Sequence, residues 1–116
     1  MPITEWASGT ATVGTGQLQL VGGSPEAADG ILQVLVDCTK MVSGAVLEVR
    51  ITDKVRSSGT QRTVWLAVLA DAQASDDSVF VSPALLVMHG WEVTLAMPSG
   101  GGSPQQEFDY SVRLIT

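Results

Sequence analysis

His89 is the only histidine of the 116-residue chain, and it is the side chain whose chemistry would matter most in an enzyme. A histidine beside a serine such as Ser82, oriented by a carboxylate, can activate the hydroxyl as a nucleophile. The sequence contains no serine in the Gly-x-Ser-x-Gly pattern that marks a nucleophile elbow. His89 precedes Gly90, so the pair predicts a turn. We therefore expect no catalytic residue and no enzymatic activity.

Metal and cofactor sites find little support in the spacing of possible ligands. The one cysteine, Cys38, and the one histidine lie in unrelated segments, which is not a zinc signature. Residues 71–77 crowd oxygen ligands but lack the glycine and the distal glutamate of a calcium loop. The glycines at 100–102 lie between predicted strands, whereas phosphate loops precede a helix. We expect no cofactor and no metal, with calcium at 71–77 as the weaker alternative.

Four aromatic side chains could form a stacking platform for sugar, as in β-sandwich lectins: Trp6, Trp65, Trp91 and Tyr110. Three of these fall on the apolar faces of predicted strands, which favours core packing for them. Trp6 lies in the N-terminal segment. It either docks on a partner or covers the core of its own domain.

The bulk composition excludes several classes of protein. A net charge of −6 argues against a nucleic-acid groove and against adhesion to an anionic membrane. No apolar run reaches the length of about 18 residues that a spanning helix needs. The first residues lack the basic and apolar regions of a signal peptide, so synthesis in the cytoplasm is expected. With 45% hydrophobic and 16% charged residues, part of the apolar surface is expected to be covered by a partner.

The stretch from Ala45 to Ala70 gives the clearest structural signal. Apolar residues alternate with polar ones in its first arm, which is typical of a half-buried strand. Ser57, Ser58 and Gly59 supply turn chemistry, and a second strand-like arm runs from Gln61. Two such arms joined by a short polar loop predict a β-hairpin.

Further short strands with turn signals between them continue along the rest of the chain. Pro83 predicts a bend within residues 79–88, and residues 37–43 suit a single helical turn. The total is about eight strands, which predicts an all-β, single-domain antiparallel β-sandwich of jelly-roll or Greek-key type. We divide the chain into an extended N-terminal arm, residues 1–8, and a β-sandwich domain, residues 9–116.

The hairpin region resembles a group of small virion proteins of tailed bacteriophages. The shared pattern comprises an acidic-x-basic strand, a lysine, a Gly-Thr-x-Arg turn and an aromatic-x-Ala strand. Here these are Glu48, Arg50, Lys54, Gly59, Thr60, Arg62, Trp65, Ala67, Ala70, Ala72 and Gln73. Ser82-Pro83 and residues 91–95 continue the likeness, which covers about half of the chain. The GGGSPQQ segment departs from the Gly-Thr-Gly-Arg turn of that group.

This resemblance implies a virion structural protein, in particular a decoration (cement) protein that binds the outer shell of the capsid and stabilises the head. The implied partners are the major capsid protein and copies of the chain itself, as a dimer or trimer. The implied location is the capsid surface of the virion. The alternative is a tail-associated, receptor- or carbohydrate-binding module. The expected contact residues lie in the arm and the hairpin loop: Pro2, Ile3, Trp6, Arg56, Ser58, Thr60 and Arg62.

Overall fold

A computed structural model describes residues 3–13, 17–19, 29–41, 44–70, 79–99 and 106–115 of the chain. Within these ranges the backbone forms nine strands and no helix. They are β1 (Ile3–Val13), β2 (Gln17–Gln19), β3 (Gly30–Asp37), β4 (Val46–Asp53), β5 (Arg62–Ala70), β6 (Val79–Val81), β7 (Leu85–Val87), β8 (Glu92–Ser99) and β9 (Gln106–Ile115).

The strands form two antiparallel sheets. One sheet has the order β1-β9-β3-β6, with β7 also paired to β3, and the other has the order β2-β8-β4-β5. Because β6 and β7 pair with opposite ends of β3, they share one strand position. Each sheet therefore has four positions, and the order is that of a jelly roll. The predicted all-β sandwich of about eight strands is confirmed. Of the two predicted types, jelly roll and Greek key, the strand order is that of the jelly roll.

The hydrophobic core lies between the two sheets and follows the alternation of the sequence. In β3 and β4 every second side chain is buried, including Val34 and Val49. Trp91 and Phe108 are the largest fully buried side chains of the described residues. Full burial of one such side chain contributes about 1.5–3 kcal/mol to the free energy of folding.

The predicted hairpin is confirmed. β4 pairs with β5 from Val46 opposite Ala70 to Asp53 opposite Arg62, with one irregularity near the start of β5 that leaves Val64 as an extra residue. Residues 54–61 connect the strands. Within this loop the Gly59 amide donates to the Arg56 carbonyl oxygen at 2.8 Å, which closes a tight turn where the serines and the glycine predicted one.

Pro83 interrupts the strand between β6 and β7, as its missing N–H predicts. The neighbouring Ser82 replaces the missing sheet contacts. Its amide donates to the Val34 carbonyl at 2.9 Å, and its hydroxyl oxygen accepts from the Val34 amide at 2.8 Å. The Gln33 side-chain amide donates to the Ser82 carbonyl at 3.1 Å. Ser82 is therefore a structural residue of the sheet.

The N-terminal residues differ from the expected arm. Residues 3–8 belong to β1 and pair with β9, from Ile3 opposite Ile115 to Ser8 opposite Ser111. The boundary expected after residue 8 therefore falls inside a strand. The physical reason is that pairing with β9 satisfies the backbone N–H and C=O groups that a free arm would leave to water.

The helical turn expected within residues 37–43 is not a helix in its described part. A single turn forms there, in which the Met41 amide donates to the Cys38 carbonyl at 3.1 Å. Pro2, the candidate calcium segment 71–77 and the glycines at 100–102 lie outside the described residues. Among the described residues no helix is long and apolar enough to cross a membrane.

Candidate functional site

An apolar pocket opens at the end of the sandwich where β4, β7 and β9 finish and β1, β3 and β5 begin; we call this the pocket end. The pocket has a volume of about 590 Å³. Its walls come from both sheets and from the turn before β8. The lining residues are Asp29, Gly30, Ile31, Asp53, Lys54, Val55, Leu86, Val87, Met88, His89 and Ile115.

Asp53 holds the two sides of the pocket together. Its carboxylate is buried at the end of β4 and accepts three backbone hydrogen bonds. The Lys54 and His89 amides donate to Oδ1 at 2.8 and 3.0 Å, and the Met88 amide donates to Oδ2 at 3.1 Å. A buried carboxylate is costly unless it is bonded in this way. Asp53 therefore ties the hairpin to the 88–90 turn.

Gly30 lets β3 and β9 approach each other closely at the base of the pocket. Its φ is +159°, and a Cβ atom added there would lie 2.3 Å from the carbonyl oxygen of Ile115. Since real Cβ atoms do not come this near to backbone oxygen, only glycine fits without a shift of the strand. The floor of the pocket thus depends on this residue.

The rim of the pocket exposes large apolar side chains. Leu86 and Val55 are each 83% exposed, and Met88 and Ile3 are also exposed. Ile3 pairs with Ile115, one of the lining residues. A pocket with an apolar rim of this kind is typical of a surface that another molecule covers.

Trp6 belongs to the pocket end through its contact with Trp91. It is the extra residue of a β-bulge in β1, between Glu5 opposite Arg113 and Ala7 opposite Val112. Bulges redirect side chains, and here the Trp6 ring lies 6.2 Å from the ring of buried Trp91 while 37% of Trp6 stays exposed. Trp6 therefore covers the core and also presents an apolar surface.

The four aromatic side chains do not form one exposed platform. Trp91 is buried, and Trp65 stacks on Phe80 with 5.6 Å between the ring centroids. Tyr110 is half-buried against the core. The expectation that Trp65, Trp91 and Tyr110 pack in or on the core is confirmed.

The predicted hairpin-loop residues reach the same end. Gln61 links the loop to the 88–90 turn, because its side-chain amide donates to the Gly90 carbonyl at 2.7 Å and to the Thr52 hydroxyl at 3.0 Å. The predicted contact residues of the loop are all exposed: Arg56, Ser58, Thr60 and Arg62. The structure thus brings these residues to the end that also holds Ile3 and Trp6.

The loop at the pocket end is basic, although two acids, Asp29 and Asp53, line the pocket itself. Three of the six lysine and arginine residues, Lys54, Arg56 and Arg62, lie within nine positions at the pocket end. Asp37, Glu107 and Asp109 gather at the other end, beside Lys40. The pocket end is therefore apolar with a basic loop, although the chain as a whole is acidic.

The pocket offers no arrangement typical of catalysis. Asp53 is occupied by backbone amides, and His89 lies in the predicted bend, half-buried. Ser82 is bonded within the sheet. No group of three or more potential metal-ligating side chains comes together in the described parts of the chain. The arrangement suits binding of an apolar surface.

Sequence reasoning missed Asp53, Val55, Leu86 and Met88. Leu86 and Met88 lie in an apolar run that indicates a buried strand, and the Pro83 break hides which face each side chain takes. Val55 stands in a loop, where periodicity gives no signal. The pairing of Asp53 with the 88–89 amides spans 35 and 36 positions. A contact between residues so far apart in the sequence leaves no local pattern from which it could be predicted.

No protein-family model matches the chain, and no curated protein sequence matches it. Among solved structures, the chain is similar to a protein of Bacillus endospore appendages, which form disulfide-linked pili. The TM-score is 0.50 at 16% identity, over 97% of this chain and 84% of that chain. This likeness concerns the fold. A chain of the infectious bursal disease virus Gx strain gives a TM-score of 0.49 at 14% identity, over 97% of this chain and 31% of that chain, which is too weak to equate the folds.

Cys38 bears on the comparison with disulfide-linked pili. The side chain is fully buried, and burial, assisted by the nearby Asp37 charge, raises the pKa of its thiol to about 11. A buried, protonated thiol is a poor partner for disulfide exchange. Cys38 therefore acts as a small core residue.

Proposed function

We propose that this protein is a non-enzymatic structural component of the virion of a tailed bacteriophage, a decoration protein that binds the outer capsid shell through its pocket end. The observation that carries the proposal is the apolar pocket lined by exposed Val55, Leu86 and Met88, with exposed Ile3 paired to Ile115 of its lining. The proposed partner is the major capsid protein. The resemblance of the hairpin to small virion proteins gives the proposal its phage context.

The chemistry of the pocket end indicates what its partner presents. An apolar side chain or short apolar segment of the partner would fill the pocket and be covered by its rim. Lys54, Arg56 and Arg62 beside the pocket favour carboxylates around that segment. Ordered backbone on both sides of the pocket, held by Asp53, reduces the entropy lost on binding.

A decoration protein stabilises a shell by linkage. A protein that binds the assembled shell more tightly than loose subunits shifts the equilibrium towards assembly. Many symmetric copies then convert a modest contact into strong attachment. The similarity in fold to a protein of Bacillus endospore appendages, which form pili, supports a role in repeated assemblies.

The proposal is tested on virions purified from the phage that encodes the chain. We expect mass spectrometry to find the protein in many copies per particle and immunogold labelling to place it on the head. Particles from a deletion mutant should lose their DNA at a lower temperature than wild-type particles. Absence from purified particles would refute a virion role, and gold confined to the tail would favour the tail-associated alternative.

The docking end is tested by adding purified variants to particles that lack the protein. Val55→Glu and Leu86→Glu alter side chains that are 83% exposed, so both variants should fold, and we expect occupancy of the shell to fall about tenfold or more. Val79→Glu and Val81→Glu make the same change on exposed positions of β6 and serve as controls. Equal occupancy of all variants would show that another surface docks.

A further inference from the structure

The four outer strand positions of the two sheets differ in how well they are protected from pairing with another chain. β1 is long but carries Glu5 and the bulge at Trp6, and both features discourage further pairing. β2 and β6 have three residues each. β5 has nine residues, about 30 Å of extended backbone, and within the described part of the chain it pairs on one side only, with β4.

β5 lacks the usual protection of an edge strand. After Arg62 it contains no charged residue and no proline. Its outward face presents three exposed apolar side chains in a row: Val64, Leu66 and Val68. Its irregularity lies near the start, at Val64, so the segment from Trp65 onward keeps regular pairing with β4. A long, uncharged, apolar edge of this kind is a template for another strand.

The sequence of β5 is complementary to itself when two copies run antiparallel. In the register centred on Ala67, Leu66 of each copy faces Val68 of the other, and Trp65 faces Leu69. Directly opposed residues lie on the same face of a sheet, so the outward apolar row continues across both copies. A two-fold axis through Ala67 would relate the two copies, so that each uses the same surface. Two-fold symmetry is the commonest symmetry of protein dimers.

Charge favours the same orientation. Arg62 is the one charged residue of β5 and begins the strand. An antiparallel pair places the Arg62 side chains of the two copies at opposite ends. A parallel pair would bring like charges together.

We propose that β5 pairs antiparallel with β5 of a second copy of this chain, joining the two four-stranded sheets that contain it into one continuous eight-stranded sheet. Because β5 begins at the pocket end, an antiparallel pair points the pocket ends of the two copies in opposite directions. Both pockets stay open, and one copy of each dimer can face a given surface with its pocket end. The contact is small beside standard interfaces, and we expect a dissociation constant of about 10–100 µM.

The test is sedimentation of the purified full chain over roughly 1–500 µM, the range that brackets this affinity. We expect a monomer–dimer equilibrium. The double variant Leu66→Lys/Val68→Lys places four like charges at the centre of the pair and should weaken dimerisation at least about tenfold. Both side chains are exposed, so the melting temperature should stay close to that of the wild type. Val79→Lys/Val81→Lys on β6 is the matched control and should dimerise like the wild type.

The register is tested by cysteine cross-linking. Ala67→Cys should form an intermolecular disulfide under mild oxidation, because self-opposed residues bring their Cα atoms within disulfide range. Val81→Cys, exposed on β6, should not, and buried Cys38 should contribute no background. A monomeric wild type up to 500 µM, or a β5 double variant that dimerises normally, would overturn the proposal. No virion is needed, so this outcome is independent of the capsid test.

Discussion

The Oδ1 atom of Asp53 lies 3.0 Å from the backbone nitrogen of His89, and its Oδ2 atom lies 3.1 Å from the backbone nitrogen of Met88. One carboxylate at the end of β4 thus fixes a turn that is distant in sequence and forms a wall of the pocket. The histidine side chain takes no part in this contact. The pocket end is therefore built by backbone hydrogen bonds around a buried acid.

The first prediction concerns this carboxylate. Asp53→Ala leaves the Lys54, Met88 and His89 amides without their acceptor, and we expect the free energy of unfolding to fall by about 2–4 kcal/mol. Urea unfolding followed by tryptophan fluorescence measures the loss. Asp109→Ala is the control, because Asp109 is exposed and accepts one hydrogen bond, from Thr10. A loss for Asp53→Ala no larger than that of the control would contradict the structural role.

The second prediction separates a clash from backbone strain. Gly30 and Gly9 have nearly the same φ, +159° and +154°, but a Cβ atom meets Ile115 at 2.3 Å in the first case and Tyr110 at 3.6 Å in the second. Gly30→Ala should therefore cost more stability than Gly9→Ala, by about 2 kcal/mol or more. Thermal unfolding of the two variants gives the comparison. Equal melting temperatures would mean that the strands do not approach as closely as described.

The third prediction concerns the break at Pro83. Ser82→Ala removes the hydroxyl that accepts from the Val34 amide, and a buried donor left without a partner costs about 1–3 kcal/mol. Hydrogen exchange at the Val34 amide should accelerate in this variant. Ser58→Ala, at an exposed loop position, should change stability by less than about 0.5 kcal/mol. Unchanged protection of the Val34 amide would argue against the serine contact.

The fourth prediction concerns Cys38. Its pKa of about 11 in the folded chain exceeds the ordinary thiol value of 9.0. The thiol therefore favours folding fully below about pH 9, and this contribution, about 2–3 kcal/mol, is lost as the pH rises to about 11. Stability should fall more steeply over this window in the wild type than in Cys38→Ala.

Thiol labelling gives a second measurement on the same residue. At neutral pH a thiol reagent should react with the native chain far more slowly than with the chain in urea, because Cys38 is fully buried. Rapid labelling of the native chain would show an accessible thiol and would contradict its assignment to the core.

Much of the fold was predictable because strands repeat every second residue. The alternation around Leu47 and Val49 predicted β4 and the hairpin, and Pro83 predicted the division of β6 from β7. The sequence left the strand order open, because pairing between β1 and β9 joins residues that lie about a hundred positions apart. The boundary placed after residue 8 failed for the same reason, since the partner of that segment lies at the other end of the chain.

The candidate site was predictable only in part. Ile3, Trp6 and the loop residues from Arg56 to Arg62 were chosen for exposure and resemblance, and the structure brings them to one end. The pocket itself was not predicted, because its walls come from four separate segments and its key acid, Asp53, looks like the last residue of an ordinary strand. No sequence pattern marked Leu86 as exposed; it lies on the outward face of β7, between half-buried Leu85 and buried Val87.

A cryo-EM map of the intact virion tests the central claim most directly. The account predicts jelly-roll density on the outer surface of the head, oriented so that the pocket end faces the capsid shell and an apolar element of the shell protein enters the pocket beside Leu86 and Val55. Jelly-roll density whose pocket end points to solvent, or no density for this chain on the head, would contradict it.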